Sequence, residues 1–369
     1  MSMISSNLMF MENSISWIIT AILLSYTISY FMIPVIIKVS NLKKLADAPG
    51  KRCVHVAEVP NLGGVGIFLS IVVVTTFLGS YFLDKNLLVL LGALTILFFT
   101  GLKDDLIELS PISKLLGQLI SILSVILIAD FRIDNLHGLM GICQLSYSVS
   151  VLLTLFVFLL VINSYNLIDG VDGLAGGIGL ISSLIFGLFF VKANIPMMVF
   201  LSFAIVGSLV AFLSFNLSKK MKIFMGDTGS MIIGFLLAYQ CVSFVNVNIA
   251  ESILFGVNGP LIALSIISFP LLDTVRVIIV RLKKKQNVFA GDQNHLHHSL
   301  LRLGLKHWQI SLIGSSFGLL MLLLIYKFNM IETNTLLLIM CMKSLFFVLS
   351  INMIKKILVT AKKLKLRMP

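Results

Sequence analysis

The sequence predicts an all-α, polytopic integral membrane protein with about 11 transmembrane helices, its N-terminus outside and its C-terminus in the cytoplasm. Two observations carry the fold class. The 369 residues are 58% hydrophobic and only 12% charged, where soluble domains carry about 25% charged residues. Apolar runs of membrane-crossing length also recur from end to end, with no long polar insertion between any two. No internal repeat, low-complexity tract or second domain is visible. Residues 1–369 are therefore read as one membrane-embedded domain. Cys53, Cys143, Cys241 and Cys341 are scattered. They form no CxxC pair and suggest neither a zinc site nor a disulfide framework. A net charge of +12 in so apolar a chain points to anionic lipid rather than nucleic acid.

The expected spans run in order over 16–38, 62–83, 87–101, 112–130, 149–165, 174–191, 196–215, 228–247, 258–280, 308–327 and 331–352. The first has no convincing cleavage site and reads as a retained span rather than a signal peptide. The third and fifth are short. The connector 131–148, "FRIDNLHGLMGICQLSYS", has room for a small β-hairpin. Orientation, the third observation, follows from the basic residues. With the C-terminus inside, 23 of the 28 Lys and Arg fall in cytoplasmic segments, and Lys85, Arg132, Lys192 and Lys327 fall outside. That bias is the positive-inside signature. Ten of the sixteen acids share the cytoplasmic face. A reaction between a soluble charged substrate and a lipid suits such a boundary.

Four motifs lie on that face. In "GLKDDLIELS" (101–110), Asp104 and Asp105 are adjacent. At the start of a helix they would project about 100° apart, each toward a different partner. They would then either complement the dipole of the fourth span or serve a site, with Lys103 or Lys114 as the compensating cation. In "NSYNLIDGVDG" (163–173), Asn163, Asn166, Asp169 and Asp172 recur every three residues. Neighbours in such a series share a helix face. They can coordinate Mg²⁺ or read the donors and acceptors of a nucleobase. "FMGDTGS" (224–230) sets Asp227 at the mouth of the eighth span. There it either caps the helix or marks where Mg²⁺ and phosphate meet.

"GDQNHLHH" (291–298) supplies His295, His297 and His298. His295 and His298 have a spacing that zinc accepts, but no Cys or HExxH pattern supports zinc. Donors to a diphosphate, one of them oriented by Asp292, are the preferred reading. Arg276, three residues after Asp273, reads as an ion pair or as a phosphate ligand. "GGVGIF" (63–68) and "GGIG" (176–179) lack a surrounding strand–turn–helix unit, so they mark close helix packing rather than a dinucleotide site.

Taken in order, "DAPGKRCVHVAEVPNLGG" (47–64), "GLKDDLIELSPISKLLGQ" (101–118), "NSYNLIDGVDGLAGG" (163–177), "FMGDTGS" and the stretch 273–304 resemble the polyprenyl-phosphate N-acetylhexosamine-1-phosphate transferases. The match covers about residues 30–305. The HxHH element favours the N-acetylglucosamine branch over the muramoyl-pentapeptide branch. Three positions usually basic in the family are here Cys53, Asn61 and Gln293. The resemblance implies transfer of a sugar-1-phosphate from a UDP-N-acetylhexosamine to undecaprenyl phosphate, releasing UMP and starting a lipid-linked envelope glycan in the bacterial cytoplasmic membrane. It implies Mg²⁺ or Mn²⁺ on Asp227, with Asn166 beside it, and a proton-accepting or steering role for Asp104 or Asp105. A covalent aspartyl intermediate is the less favoured route. Asp169 and Asp172 would read uridine, with Asn163 nearby. Lys114 would meet a phosphate, and His55, Arg276, His295, His297 and His298 would bind diphosphate and sugar. A homodimer is carried as a further expectation. The competing classes are a CDP-alcohol phosphatidyltransferase, whose further Asp and Arg are missing after "DGVDGLAGG", and a transporter. Transporters place charges at the midplane of repeated halves, and this chain shows neither trait.

Overall fold

The computed structural model describes residues 3–45, 59–82, 85–247, 258–285 and 295–365. Almost everything described is helical: α1 (Met3–Lys43), α2 (Gly63–Gly79), α3 (Lys85–Leu106), α4 (Pro111–Ile128), α5 (Tyr147–Ile168), α6 (Leu174–Lys192), α7 (Pro196–Asn216), α8 (Gly226–Val245), α9 (Gly259–Ile266), α10 (Ser268–Lys283), α11 (Leu296–Arg302), α12 (His307–Lys327) and α13 (Thr333–Lys365). Among the described residues, nine helices are long and apolar enough to cross a membrane, or ten if the bent pair α9–α10 counts as one. The short helix α2, at 17 residues, is apolar but falls below that length. The protein is thus a multi-pass membrane protein.

Two local signals start helices as the sequence suggests. The Ser110 hydroxyl accepts from the Ser113 amide at 3.2 Å, and Pro111 opens α4. Asn258 likewise accepts from Leu261 N at the start of α9. Side-chain caps of this kind satisfy amides that have no partner within the helix. The expected hairpin is present. Strands β1 (Asn135–Leu139) and β2 (Ile142–Gln144) pair antiparallel. It is tied down where His137 Nε2 meets Val245 O at 2.7 Å, the last residue of α8, and where Asn258 Nδ2 donates to His137 O at 2.7 Å.

One expected span is corrected. Residues 258–280 do not form a single helix, because α9 and α10 meet at 75° across Ile267. Pro270 is the physical cause. It has no N–H to give the Ile266 carbonyl four residues back, and its ring crowds that carbonyl. Ser182 Oγ approaches the Ile266 oxygen at 3.4 Å instead.

Helix α8 is the central post. Of its apolar window, 94% is buried, against 22% for α1 and 11% for α13, which therefore form the lipid-facing periphery. It packs against α2, α3, α5, α6 and α9. The approach at its first turn is backbone to backbone. A Cβ on Gly64 would lie 2.1 Å from Gly229 N, and one on Gly101 would lie 2.5 Å from Thr228 Cα. The Gly-Gly segment also pairs with the lead-in to α8. Gly63 N donates to Phe224 O and Gly64 N to Met225 O, both at 2.9 Å, and Phe224 N returns a bond to Pro60 O at 2.8 Å. Close helix packing is therefore what the "GGVG" glycines do.

Gly64→Ala should separate α2 from α8 and cost at least about 1–3 kcal/mol, the usual range for overpacking. Gly92→Ala, whose Cβ meets nothing within 4 Å, should be neutral. Thermal midpoints of both variants in detergent check this. Equal midpoints would show that the Gly64 contact can relax.

Candidate functional site

Asp104 and Asp105 do not begin a helix. They end α3, and α4 starts only at Pro111. Carboxylates at a helix C-terminus oppose its dipole, so each must be satisfied from elsewhere. The expected divergence of the two side chains is what separates their partners. Asp104 accepts from Leu109 N at 2.6 Å and from Lys114 Nζ at 2.9 Å. Asp105 crosses to α8, where its two oxygens take Asp227 N at 2.7 Å and Thr228 N at 3.0 Å, and the Thr228 hydroxyl as well. The cap of α8 thus comes from α3 rather than from Asp227 or Thr228. Gly226, at φ +72°, makes the turn into it, and any Cβ there would strike Asn61 O and both Asp105 oxygens. Asn61 also reaches the Asp105 carbonyl through Nδ2 at 3.5 Å.

Asp227 stands in the first turn of α8. Its Oδ1 receives Lys114 Nζ and Asn166 Nδ2. Its side chain is 33% exposed, and the Asp104 carboxyl lies within hydrogen-bonding reach of it. Asn166 also gives a bond to Ser230 Oγ at 2.7 Å. Lys114 is the ammonium shared by Asp104 and Asp227. Asn163, one turn before Asn166 on α5, bonds to Gln118 Oε1 on α4 at 3.1 Å and to Leu159 O.

The every-third-residue series leaves the helix halfway. α5 stops at Ile168 and Asp169 is its C-cap. Burial pushes the Asp169 carboxyl well above the usual carboxylate range, and the charges of Asp227, Asp105 and Asp172 push it further. The amide of Gly226 opposes them weakly. Asp172 lies in the loop before α6. Its Oδ2 meets Lys222 Nζ at 2.7 Å and His307 Nδ1 at 2.9 Å. Neighbouring bonds pin that loop. Gly173 N donates to Asn216 Oδ1 at 2.7 Å, and Ser311 Oγ donates to Gly173 O at 2.6 Å.

The histidines gather on Asp273. Its Oδ1 accepts from Leu296 N at 2.7 Å, and its Oδ2 lies 3.3 Å from His295 Nδ1 and 3.4 Å from His297 Nδ1. His295 pairs with His297 there, not with His298 at the i, i+3 spacing. The His298 ring sits 4.4 Å from that of His297. Burial, then the neighbouring His297, His295 and Arg302, lowers His298 to about 4, so it is neutral at physiological pH. His297 borders the Asp-rich loop, because a Cβ on Gly170 would lie 3.1 Å from its Nε2. Arg276 is half-buried one turn along α10 from Asp273. His55, Cys53, Asp292 and Gln293 lie outside the described residues. Among the described residues the carboxylate beside the histidines is Asp273.

Sequence reasoning passed over Lys222, His307, Thr228, Ser230, Gln118 and Asp273 as parts of this site. Lys222 had registered only as one positive-inside charge, and Asp273 only as a partner for Arg276. Asp104, Asp105, Lys114, Asn166, Asp169 and Asp227 form one cluster. Asp172 and the histidines flank it.

The described helices form a membrane bundle whose acidic, basic and histidine side chains gather at the helix ends. Residues 87–245 match the profile of glycosyl transferase family 4. A probable undecaprenyl-phosphate N-acetylglucosaminyl 1-phosphate transferase of Bacillus subtilis is 30% identical over 310 residues, covering 82% of this chain and 83% of the relative. A decaprenyl-phosphate N-acetylglucosaminephosphotransferase of Mycobacterium tuberculosis is 32% identical, covering 78% of this chain and 76% of the relative. An undecaprenyl-phosphate alpha-N-acetylglucosaminyl 1-phosphate transferase of Escherichia coli O157:H7 is 27% identical over 72% of each chain. The chain belongs to glycosyl transferase family 4, the family of these polyprenyl-phosphate N-acetylglucosamine-1-phosphate transferases.

The raised Asp169 carboxyl has a testable consequence. An acid whose folded value exceeds its unfolded value destabilises the fold as pH rises from the unfolded value through the folded one. In EDTA at neutral pH, Asp169→Asn should therefore melt higher than the wild type. The gap should close below about pH 4, where the unfolded carboxyl is protonated as well. Thermal midpoints between pH 3.5 and 8 check this, and a variant less stable at pH 7 would refute it.

Proposed function

We propose that the protein transfers N-acetylglucosamine-1-phosphate from its UDP-sugar to undecaprenyl phosphate, releases UMP and so initiates a lipid-linked envelope glycan. The observation that carries the reading is the convergence of Lys114, Asn166, Asp104 and Asp227 at one end of the helices. These residues come from four different helices, and the chain's relatives are named for this reaction.

Phosphoryl transfer between anions asks mainly for positioning and charge neutralisation. A phosphate oxygen of the lipid forms a bond to the sugar-bearing phosphorus of the UDP-sugar. The bridging bond to the UMP phosphate breaks, and UMP leaves with that electron pair. Asp104 holds or accepts the proton of the lipid phosphate beside Lys114, whose ammonium attracts the incoming anion. Asp105 holds the α8 terminus, and so the position of Asp227. Asp169, Asp172 and Asn163 face the nucleoside. His55, Arg276, His295, His297 and His298 take the diphosphate and sugar.

Enzymes of glycosyl transferase family 4 generally depend on a divalent metal, and these residues fit one. Four carboxyl groups, Asp104, Asp105, Asp169 and Asp227, crowd around the single ammonium of Lys114, and an added cation would favour their ionised forms. Asp227 is partly exposed, and Asn166, which donates through Nδ2, retains a carbonyl oxygen. Hard oxygens of this kind suit Mg²⁺ or Mn²⁺. A cation held by Asp227 and Asn166 would neutralise charge on the substrate diphosphate.

Purified protein should release UMP from UDP-N-acetylglucosamine only with undecaprenyl phosphate and Mg²⁺ or Mn²⁺ both present. Release of UDP would mean transfer of the sugar alone and would overturn the reading. Asp227→Asn should raise the Mg²⁺ concentration needed for half-maximal rate. Asp104→Asn should lower turnover by about 10²–10⁴-fold, as loss of a general base does, with UDP-sugar binding retained.

The reading also places the site on the cytoplasmic side of the bacterial inner membrane. A cysteine at the exposed Ser113 should react with an impermeant thiol reagent only after the membrane is opened. Labelling in intact cells would reverse the orientation.

A further inference from the structure

We propose that Asp273 is a positioning residue that holds His295 and His297 as a matched pair, Nδ1 inward and Nε2 toward the substrate. The proposal rests on the reading that these histidines meet the diphosphate of the UDP-sugar.

Asp273 is fully buried, and His295 and His297 are 3% and 1% exposed. A carboxylate so deeply buried requires hydrogen-bond donors. The Leu296 amide donates to Oδ1 at 2.7 Å and His295 Nδ1 meets Oδ2 at 3.3 Å, while His297 Nδ1 lies 3.4 Å from the same oxygen in an ion-pair contact without hydrogen-bond alignment. One side chain of α10 thereby fixes both the start of α11 and the face that each ring presents. The two rings lie nearly parallel, 12° apart with centroids at 5.3 Å. That is the arrangement expected of two imidazoles hung from one oxygen. With Nδ1 committed inward, Nε2 is the nitrogen left to meet a ligand. His297 Nε2 does lie against Gly170, in the loop that carries Asp169 and Asp172. When one ring carries protons on both nitrogens, its charge is balanced by Asp273 on one side and by a diphosphate oxygen on the other.

The geometry also separates His298 from this pair. It belongs to the same short helix, but no contact ties it to Asp273 within hydrogen-bonding distance among the described residues. Its ring is free to serve a different part of the ligand.

The test uses the full-length protein in nanodiscs and measures UMP release with each substrate varied in turn. Asp273→Asn should raise KM for UDP-N-acetylglucosamine by about 10–100-fold, as loss of a charge-assisted hydrogen bond does. It should leave KM for undecaprenyl phosphate within about twofold, because the lipid phosphate meets the other half of the site. Asp273→Asn combined with His295→Ala and His297→Ala should be no worse than the His295→Ala/His297→Ala pair alone, since Asp273 acts through the two rings. A merely structural role predicts the opposite: both KM values move and the two losses add.

Should Asp273→Asn fail to fold, the wild type decides. Histidine-selective ¹⁵N NMR should show two imidazoles with protonated Nδ1. Their Nε2 signals should shift when inorganic diphosphate is added. Two rings protonated only at Nε2 would overturn the proposal. So would stoichiometric zinc in the purified protein, because the same three atoms would then be metal ligands. Wild type that releases no UMP would sink the proposed function. Active wild type with an unchanged Asp273→Asn KM would sink only this inference.

Discussion

The Asp105 carboxylate on the first amides of α8 is the contact on which the rest of the site depends. A helix N-terminus buried in a bundle has amides with no partner inside the helix. In a membrane protein water cannot supply one at depth. Asp105 supplies it from α3, and in doing so fixes where Asp227 stands. The contact is short because nothing intervenes. Gly64 and Gly101 bring the backbones of α2 and α3 against the same turn. The glycines and the carboxylate are thus two halves of one constraint. Small residues allow the approach, and the charge-assisted cap makes it favourable.

Charge balance is the second constraint. Asp105 faces the positive end of the α8 dipole and accepts the first amides of that helix. Asp104 and Asp227 share Lys114. Asp169 is buried and left among like charges, and burial first, then those charges, holds its carboxyl above the ordinary range. The cluster thus sets four carboxyl groups around one ammonium, beside the partly exposed Asp227. Asp172 belongs to a separate balance, with Lys222 and His307. The two groups are linked through Asp169, which feels the charges of Asp227 and Asp105 on one side and of Asp172 on the other.

Much of the fold was legible because bilayer crossing writes itself into composition. Each apolar run became helical, and the polar connector at 131–148 became a hairpin. The break at Ile267 was legible in principle from Pro270 but was hidden by the hydropathy of its surroundings. The site was legible as a set of motifs, not as a set of bonds. Asp104 and Asp105 drew notice because charge is rare in such a chain. Their placement at the end of α3 was not visible, because apolar pattern does not tell a helix end from the next helix start. The contacts of Asp172 with Lys222 and His307 and of Asp273 with the histidines join residues 22 to 135 positions apart. No local spacing records such pairs.

The distribution of burial explains why the chemistry gathers where it does. A catalytic electrostatic environment works when its dipoles are fixed before the substrate arrives. α8 is the helix best able to provide that, since nearly its whole length is enclosed, and the hairpin holds its far end through His137 and Val245. α1 and α13 meet lipid and are free to adjust without moving the site. The residues that contact Asp227 come from α4 and α5, and its amide is held from α3, so a displacement of any one of these helices is resisted by bonds to the other two. A lipid substrate that perturbs the periphery therefore reaches a site whose geometry is set from the centre outward.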